Sequence, residues 1–312
     1  MINIYINEEA LFPVSEMLEI FSTHDSTACV TPQKNEADIA FVRLKTMIDD
    51  KFLDQFSNLK IIISPTTGLN HINISAIDRR GIKLYSLRGE KKFLKNITPT
   101  ADLAFTCILS SFTRLTLASH DIAYNHRFDR NLHFRDSFKN LRVGFVGMGR
   151  LGNLVSEYVH NIGGSSGYYD PFVQQSESIH SIKLPSLESL FEEYNLISIH
   201  AISNKETESL IKLEHMKINP PYSIINTSRA TILPSDILEK AFSQELITQV
   251  FVDTLDEEPL SSPHDIINTH LYALQQLYGP ERVIITPHIG GACKSSLSQC
   301  ELFLSSKVAS EL

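Results

Sequence analysis

Val143-Gly144-Phe145-Val146-Gly147-Met148-Gly149-Arg150-Leu151-Gly152 joins a short apolar run to a G-x-G-x-x-G motif. The run has the character of a buried strand, and NLVSEYVHNIG (153–163) after it has the character of a helix. In that setting each glycine has a task. Gly147 permits a tight turn, Gly149 lets the backbone approach a pyrophosphate, and Gly152 allows close helix–strand packing, with Arg150 and Leu151 between the last two. The helix N-terminus offers unpaired N–H groups and a positive dipole end to the anion. Asp170 closes the next strand-like run, SSGYYD (165–170), 18 residues beyond Gly152. A carboxylate there accepts hydrogen bonds from an adenosine ribose and repels a 2′-phosphate, so the expected cofactor is NAD rather than NADP. Asp170-Pro171 is also a common turn dipeptide. The dinucleotide reading rests on the whole order of strand, glycines, helix, strand and acid.

Outward from this motif, β-rich runs alternate with helix-like stretches along most of the chain. On the N-terminal side INIYI (2–6), IAFVRL (39–44), LKIIIS (59–64) and IKLYSL (82–87) read as strands, separated by helical segments over 14–22, 47–56 and 73–80. A second series comprises LRVGFVG (141–147), SSGYYD (165–170), LISIHA (196–201), YSIINTS (222–228), ITQVFVDT (247–254) and RVIITPH (282–288). Such alternation builds parallel sheets with helices on both faces, and Ile61-Ile62-Ile63 suits a strand buried on both sides. Between the two series, Thr98-Pro99 starts a helix that carries Phe105, Ile108, Leu109, Phe112 and Leu115 at helical spacing. The stretch 295–312 is amphipathic and can return to the first unit. The fold class is therefore α/β, with two doubly wound parallel-sheet units.

Length and composition agree. At about 100–200 residues per domain, 312 residues suggest two domains. Hydrophobic residues at 42% and charged residues at 21% exclude a disordered chain. A net charge of −8 argues against nucleic acid as a partner. One basic island departs from it: Arg79, Arg80, Lys83, Arg88, Lys91, Lys92 and Lys95 face only Glu90, a local +6 that is either a solvated face or a surface that draws an anionic substrate. No run of 18 apolar residues occurs, and MINIYINEEALF lacks a basic, apolar leader, so neither a membrane span nor a signal peptide is expected. Cys29, Cys107, Cys293 and Cys300 are scattered without C-x-x-C spacing, and no H-E-x-x-H occurs. No disulfide framework and no metal site are expected, and a soluble protein of the reducing cytoplasm fits.

Three further blocks carry chemistry. They are Ile225-Asn226-Thr227-Ser228-Arg229, Val252-Asp253-Thr254-Leu255-Asp256-Glu257-Glu258-Pro259 and Thr286-Pro287-His288-Ile289-Gly290-Gly291. In order and spacing they resemble the signature blocks of the D-isomer-specific 2-hydroxyacid dehydrogenases, the phosphoglycerate dehydrogenase-like family. Thr67-Gly68-Leu69-Asn70-His71-Ile72, Thr100-Ala101-Asp102, Tyr169-Asp170-Pro171 and Glu206-Thr207 with Met216-Lys217 extend the resemblance over about residues 40–292. It implies a Rossmann-type NAD-binding domain (99–289) inserted into a flavodoxin-like substrate domain (1–98 with 290–312), and hydride transfer between NAD(H) and a small D-2-hydroxy or 2-keto acid.

By the same resemblance His288 is the acid/base, Glu258 its partner and Arg229 the clamp on substrate carboxylate and carbonyl. A carboxylate beside an imidazole favours the protonated ring, ready to donate to a developing alkoxide. Arginine suits the clamp because its planar fork binds carboxylates bidentately. Backbone N–H groups around Thr67, Gly68 and Leu69 hold the same carboxylate, placing substrate in a cleft between the units. His200, Ala201, Thr227, Ser228, Asp253 and Gly290 complete the cofactor site, and the 101–119 helix packs across a homodimer interface. Taken singly, Arg229 could be a surface arginine, His288 a satisfied loop histidine and Glu258 a turn acid. All three follow strands at the ends where α/β sheets bind ligands. The other eleven histidines, His200 and His71 among them, are read as structural or as contacting through the backbone.

Some features depart from the family. Arg229 is followed by Ala230-Thr231-Ile232-Leu233-Pro234 where relatives commonly have glycine and then Val-Asp. Phe105 and Phe128 stand where relatives often carry tryptophan, which this chain lacks altogether. Between Glu258 and His288 an extra helical stretch, 268–278, is expected to cap the substrate pocket or touch a partner subunit through Tyr272 or Tyr278, or else to be a surface excursion. Two other functions stay open: an NAD(H)-sensing interaction protein of the corepressor type, and a dehydrogenase of a non-carboxylate oxyanion such as phosphite.

Overall fold

Ile61, Ile62 and Ile63 are all buried, as a strand covered on both faces requires. They lie in a five-stranded parallel sheet built from β1 (Ile2–Ile6), β2 (Ala28–Val30), β3 (Ile39–Phe41), β4 (Ile61–Ser64) and β5 (Lys83–Ser86), in the order β2-β1-β3-β4-β5. The computed structural model describes residues 1–8, 11–22, 27–178 and 180–312. The chain divides into Met1–Ile97 with Gly291–Leu312, and Thr98–Gly290, one residue away from the expected joints at 98/99 and 289/290.

In the first unit the Val14–Phe21 helix buries Met17 and Phe21 against the sheet. The C-terminal Lys294–Ala309 helix joins the same core through Cys300, Leu304 and Val308, and Phe303 stacks on Phe93 with centroids 4.0 Å apart. The basic island is partly neutralised. Arg79 pairs with Asp50 at 3.0 Å, and Arg80 pairs with Asp50 and, at 2.6 Å, with Asp54. Hydrogen bonds from Arg80 and then Arg79 hold the Asp50 carboxyl below its usual range. Arg88, Lys91, Lys92 and Lys95 stay exposed.

The second unit carries β6 (Arg142–Val146), β7 (Ser165–Tyr169), β8 (Ser181–Lys183), β9 (Leu196–Ile199), β10 (Tyr222–Asn226), β11 (Ile247–Val252) and β12 (Val283–Ile285). All are parallel, in the order β12-β11-β10-β9-β6-β7-β8. The order reverses between β6 and β9, which opens a crevice at their carboxyl ends, where such sheets bind ligands. Beyond the expected strands lie β2 and β8, each three residues long.

Two expectations need correction. The helix expected over 101–119 is two helices, Pro99–Phe112 and Leu115–Ala123, parted at Arg114 with φ +57°. A side chain in the left-handed region does not propagate a right-handed helix. The first of the two buries Ala101, Ala104, Cys107, Ile108 and Ser111 within its own unit, so its apolar face is occupied there. The extra stretch is not a loose excursion, because it packs into the core of its own unit. It forms a 3₁₀ turn (Pro263–Asn268) and a helix (His270–Tyr278) whose Leu271 and Leu274 enter the unit's main core, while Gln275 Nε2 donates to the Val283 carbonyl at 2.8 Å. Tyr278 stacks on Phe242 at 4.8 Å, and Tyr272 is half-buried. The stretch covers the edge strand β12, which apolar burial favours over exposure.

Candidate active site

Gly147 sits at the carboxyl end of β6 with φ +92°, and a Cβ there would lie 2.6 Å from the Ala201 nitrogen. Only glycine fits this left-handed close approach. The loop after β9 is held against it, since the His200 N–H donates to the Val146 carbonyl at 2.8 Å. Gly152, in the first turn of the Arg150–Asn161 helix, leaves no room for a Cβ beside the Gly147 carbonyl. Gly149 is different: a Cβ there would meet nothing within 4 Å. This open cradle at a helix N-terminus fits a dinucleotide pyrophosphate.

Asp170 closes the other side of the loop. Its Oδ2 accepts from the Met148 N–H at 2.8 Å, and its Oδ1 accepts from Phe172 at 2.9 Å and Val173 at 3.1 Å. The turn role of Asp170 is thus real, and a carboxylate with about four lone-pair sites keeps acceptor capacity for a ribose hydroxyl. His200 Nε2 meets Ser198 Oγ at 2.8 Å and the ring packs beside Phe145. Burial pushes its pKa down to about 4, leaving the ring neutral at pH 7.

After β10, Asn226 shapes the next loop. Its fully buried Oδ1 accepts from the Ser228 N–H (3.1 Å) and Oγ (2.8 Å), and its Nδ2 donates to the Arg229 carbonyl at 3.0 Å. The sequence blocks contained Asn226 without revealing this role. Arg229 is half-buried, with Nη1 donating to the Ser228 carbonyl at 2.7 Å. Burial lowers its pKa while the charges of Glu258 and then Asp253 act in the opposite sense; an arginine in that setting stays cationic. Thr227 is buried, and its hydroxyl, without a partner among the described residues, lines a cavity of about 10 Å³ beside Cys107.

The third loop gathers the proton-transfer candidates. His288 Nδ1 lies 2.6 Å from Glu258 Oε2, and Glu258 Oε1 accepts from the Leu255 N–H at 3.0 Å. His288 has φ +53°, a left-handed conformation that costs a non-glycine residue roughly 1–2 kcal/mol. Asp253 holds it there. This carboxylate, 2% exposed, accepts from Thr286 Oγ1 at 2.6 Å, Ile289 N–H at 2.8 Å and Gly290 N–H at 2.7 Å, bracketing His288 on both sides. Asp253 therefore acts first as the anchor of the His288 turn. Arg229, Glu258 and His288 come together with Asp253 at the carboxyl ends of β10, β11 and β12.

In the first unit, Thr67, Gly68 and Leu69 follow β4. Their loop is fixed at its flanks by Leu87 N–H to Thr66 carbonyl (3.0 Å), Ile72 N–H to Leu69 carbonyl (2.9 Å) and the buried Ser64 Oγ to His71 Nε2 contact (3.3 Å). Among the described residues no group of three or more His, Cys, Asp or Glu side chains could hold a metal, and no helix is long and apolar enough to cross a membrane. His24 lies outside the described residues.

Comparison with known proteins bears on the family and the fold. The profile for the NAD-binding domain of the D-isomer specific 2-hydroxyacid dehydrogenases matches residues 105–290, and that for the catalytic domain matches residues 5–166. D-3-phosphoglycerate dehydrogenase of Mycobacterium tuberculosis (strain ATCC 25618 / H37Rv) is 27% identical, over 82% of this chain and 46% of that protein. Glyoxylate reductase of Thermococcus litoralis is 26% identical, over 82% of this chain and 75% of its own length. The chain thus spans about half the length of the phosphoglycerate dehydrogenases it matches. Among solved structures, D-lactate dehydrogenase from Aquifex aeolicus, complexed with NAD and lactic acid, superposes with a TM-score of 0.74 at 21% identity, covering 98% of this chain and 94% of that one. The Treponema pallidum D-lactate dehydrogenase TP0037 gives 0.81 at 17% identity, covering 99% and 96%. Likeness at such identities speaks for the fold.

Proposed function

Because the chain belongs to the D-isomer specific 2-hydroxyacid dehydrogenase family, we propose that it interconverts a D-2-hydroxy acid and its 2-keto acid with NAD(H). The 2.6 Å His288–Glu258 pair, in which the Glu258 carboxylate also acts on Arg229, carries this reading. A nicotinamide cofactor held here would supply or accept the hydride. Gly147, Gly149, Arg150, Leu151 and Gly152 would hold the pyrophosphate and Asp170 the ribose, with His200, Ala201, Ser228, Gly290 and the Thr227 backbone along the same edge.

Arg229 draws the substrate carboxylate and polarises the neighbouring carbonyl. The backbone amides of Thr67, Gly68 and Leu69 are proposed to bind that carboxylate too. Since Glu258 engages Nδ1 of His288, Nε2 is the nitrogen that gives the proton to the carbonyl oxygen in reduction and takes it back in oxidation. Glu258 holds the ring's orientation and balances its charge, as a carboxylate does for a general-acid histidine. A homodimer, proposed with the rest, would use Leu115, Ile122, Tyr124, Phe128 and Phe134, an exposed apolar set that includes Phe128 at 93%. The four cysteines are free, which suits a reducing cytoplasm.

NADH oxidation against a panel of 2-keto acids, with a separate phosphite-plus-NAD arm, tests the proposal. Turnover of at least one 2-keto acid, lost in His288→Ala, supports it. NADH binding without turnover of any keto acid, together with nucleotide-dependent association, overturns it in favour of a sensing role, and turnover of phosphite alone overturns the substrate class.

A further inference from the structure

Leu255-Asp256-Glu257-Glu258 places three carboxylates in a row, and each is tied to a different part of the second unit. Asp256 Oδ2 accepts from the Ser235 N–H at 3.1 Å and from Ser235 Oγ at 2.5 Å, at the start of the Ser235–Ser243 helix. Glu257 Oε1 accepts from the backbone N–H of His270 at 3.0 Å, at the start of the His270–Tyr278 helix. Glu258 meets His288. The His270 ring then links the first two anchors: Nδ1 lies 3.1 Å from Ser235 Oγ and Nε2 lies 3.0 Å from Glu239 Oε2.

Hydrogen bookkeeping gives this network a direction. The Ser235 hydroxyl has one hydrogen and donates it to Asp256, so towards His270 it can only accept. His270 Nδ1 must then carry hydrogen, and Nε2 faces a carboxylate that likewise accepts. Both carboxylates anchored at helix starts lie where the positive end of the helix dipole favours them. His270 itself cannot drift, because Thr269, Leu271 and Leu274 around it are buried.

Resting on the reading of Glu258 and His288 as the proton-transfer pair, we infer that His270, on the extra helical stretch, is a positioning residue for Glu258. Through Ser235–Asp256 and Glu257 it fixes the two residues immediately before Glu258, and so fixes the carboxylate that orients His288. The stretch that lengthens the chain between two site residues is therefore their brace.

In His270→Ala, kcat for the accepted keto acid should fall by about tenfold, the scale of effect that slight misplacement of a reacting group produces. KM and the NADH dissociation constant, from fluorescence titration, should stay within about twofold. His270→Asn, whose amide nitrogen can replace Nδ1 towards Ser235, should restore most of the rate, whereas His270→Gln should not. Glu257→Ala, an exposed side chain whose loss leaves the core intact, gives a second variant and should show the same kcat-only loss. The histidine ring resonances of labelled protein, with the His288 signal assigned from its absence in His288→Ala, should shift in His270→Ala and return in His270→Asn. Unchanged kcat and an unmoved His288 signal in both His270→Ala and Glu257→Ala overturn the brace. A wild-type protein that turns over no keto acid removes the dehydrogenase reading instead, and the resonance experiment still decides whether His270 positions the pair.

Discussion

Asp253 brackets His288: one oxygen takes the Thr286 hydroxyl and the Ile289 N–H, the other the Gly290 N–H, so residues on both sides of the histidine hang from one buried carboxylate. Asp253→Asn exchanges an oxygen for an NH₂ group facing N–H donors. Each buried polar group so stranded costs about 1–3 kcal/mol. The urea midpoint of the variant should fall, and kcat should fall with it because the left-handed turn at His288 loses its anchor. Wild-type values for both would show that the bracket carries no weight.

His288→Ala should lower kcat by roughly 10²–10⁴-fold, the usual contribution of a general acid. Glu258→Gln keeps shape but not charge and should give a smaller loss in the same parameter. Steady-state kinetics at saturating keto acid reads both, and an unimpaired His288→Ala enzyme is incompatible with the assignment.

Two glycines of one motif should fail in different ways. Gly147→Ala places a methyl against Ala201 in a backbone with φ +92°, so it should destabilise the unit and abolish NADH binding together. Gly149→Ala meets open space within the protein. Its thermal midpoint should match wild type while NADH affinity drops at least about tenfold, because the methyl occupies room meant for pyrophosphate. Equal NADH affinity in Gly149→Ala and wild type would remove the cradle from this loop. Asp170→Ala should raise NADP use relative to NAD.

His200 sets a pH-dependent stability. Its folded pKa, about 4, lies below the ordinary value of 6.5 because the ring is buried. Between those values the unfolded chain binds a proton that the folded chain does not, so stability is fully present above about pH 6.5 and declines as pH falls towards 4. At about 1.4 kcal/mol per unit the loss is of order 3 kcal/mol. The decline in urea midpoint from pH 7 to pH 5 should be shallower in His200→Asn than in wild type, and parallel slopes would refute this.

Much of this site was legible because its chemistry is written locally. Gly147, Gly149 and Gly152 sit within six residues, Asp170 directly follows its strand, and Arg229, Glu258 and His288 lie three to six residues beyond the ends of theirs. The strands β2 and β8 were not legible, since three residues carry too little periodicity to register. Nor was the helix break at Arg114, where no glycine or proline announces the left-handed residue. The roles of Asp253 and His270 depend on partners brought together by the fold: Asp253 reaches Thr286, Ile289 and Gly290, and His270 reaches Ser235, Glu239 and Glu257. The Leu271 and Leu274 pattern could be read as a helix, but which surface it covers is decided by the exposed edge of β12.

The Lys294–Ala309 helix in the first unit has a consequence for how the chain is made. Ile4, Phe41 and Ile63 share a core with Cys300, Leu304 and Val308, so that core cannot close until residues 300–308 have been made. The nucleotide-binding unit is one continuous segment, Thr98–Gly290, and can complete its sheet while the N-terminal strands still wait. Synthesis therefore completes the residues of the nucleotide-binding unit before those of the first unit, and a chain halted near residue 300 would leave the apolar face of the first sheet uncovered.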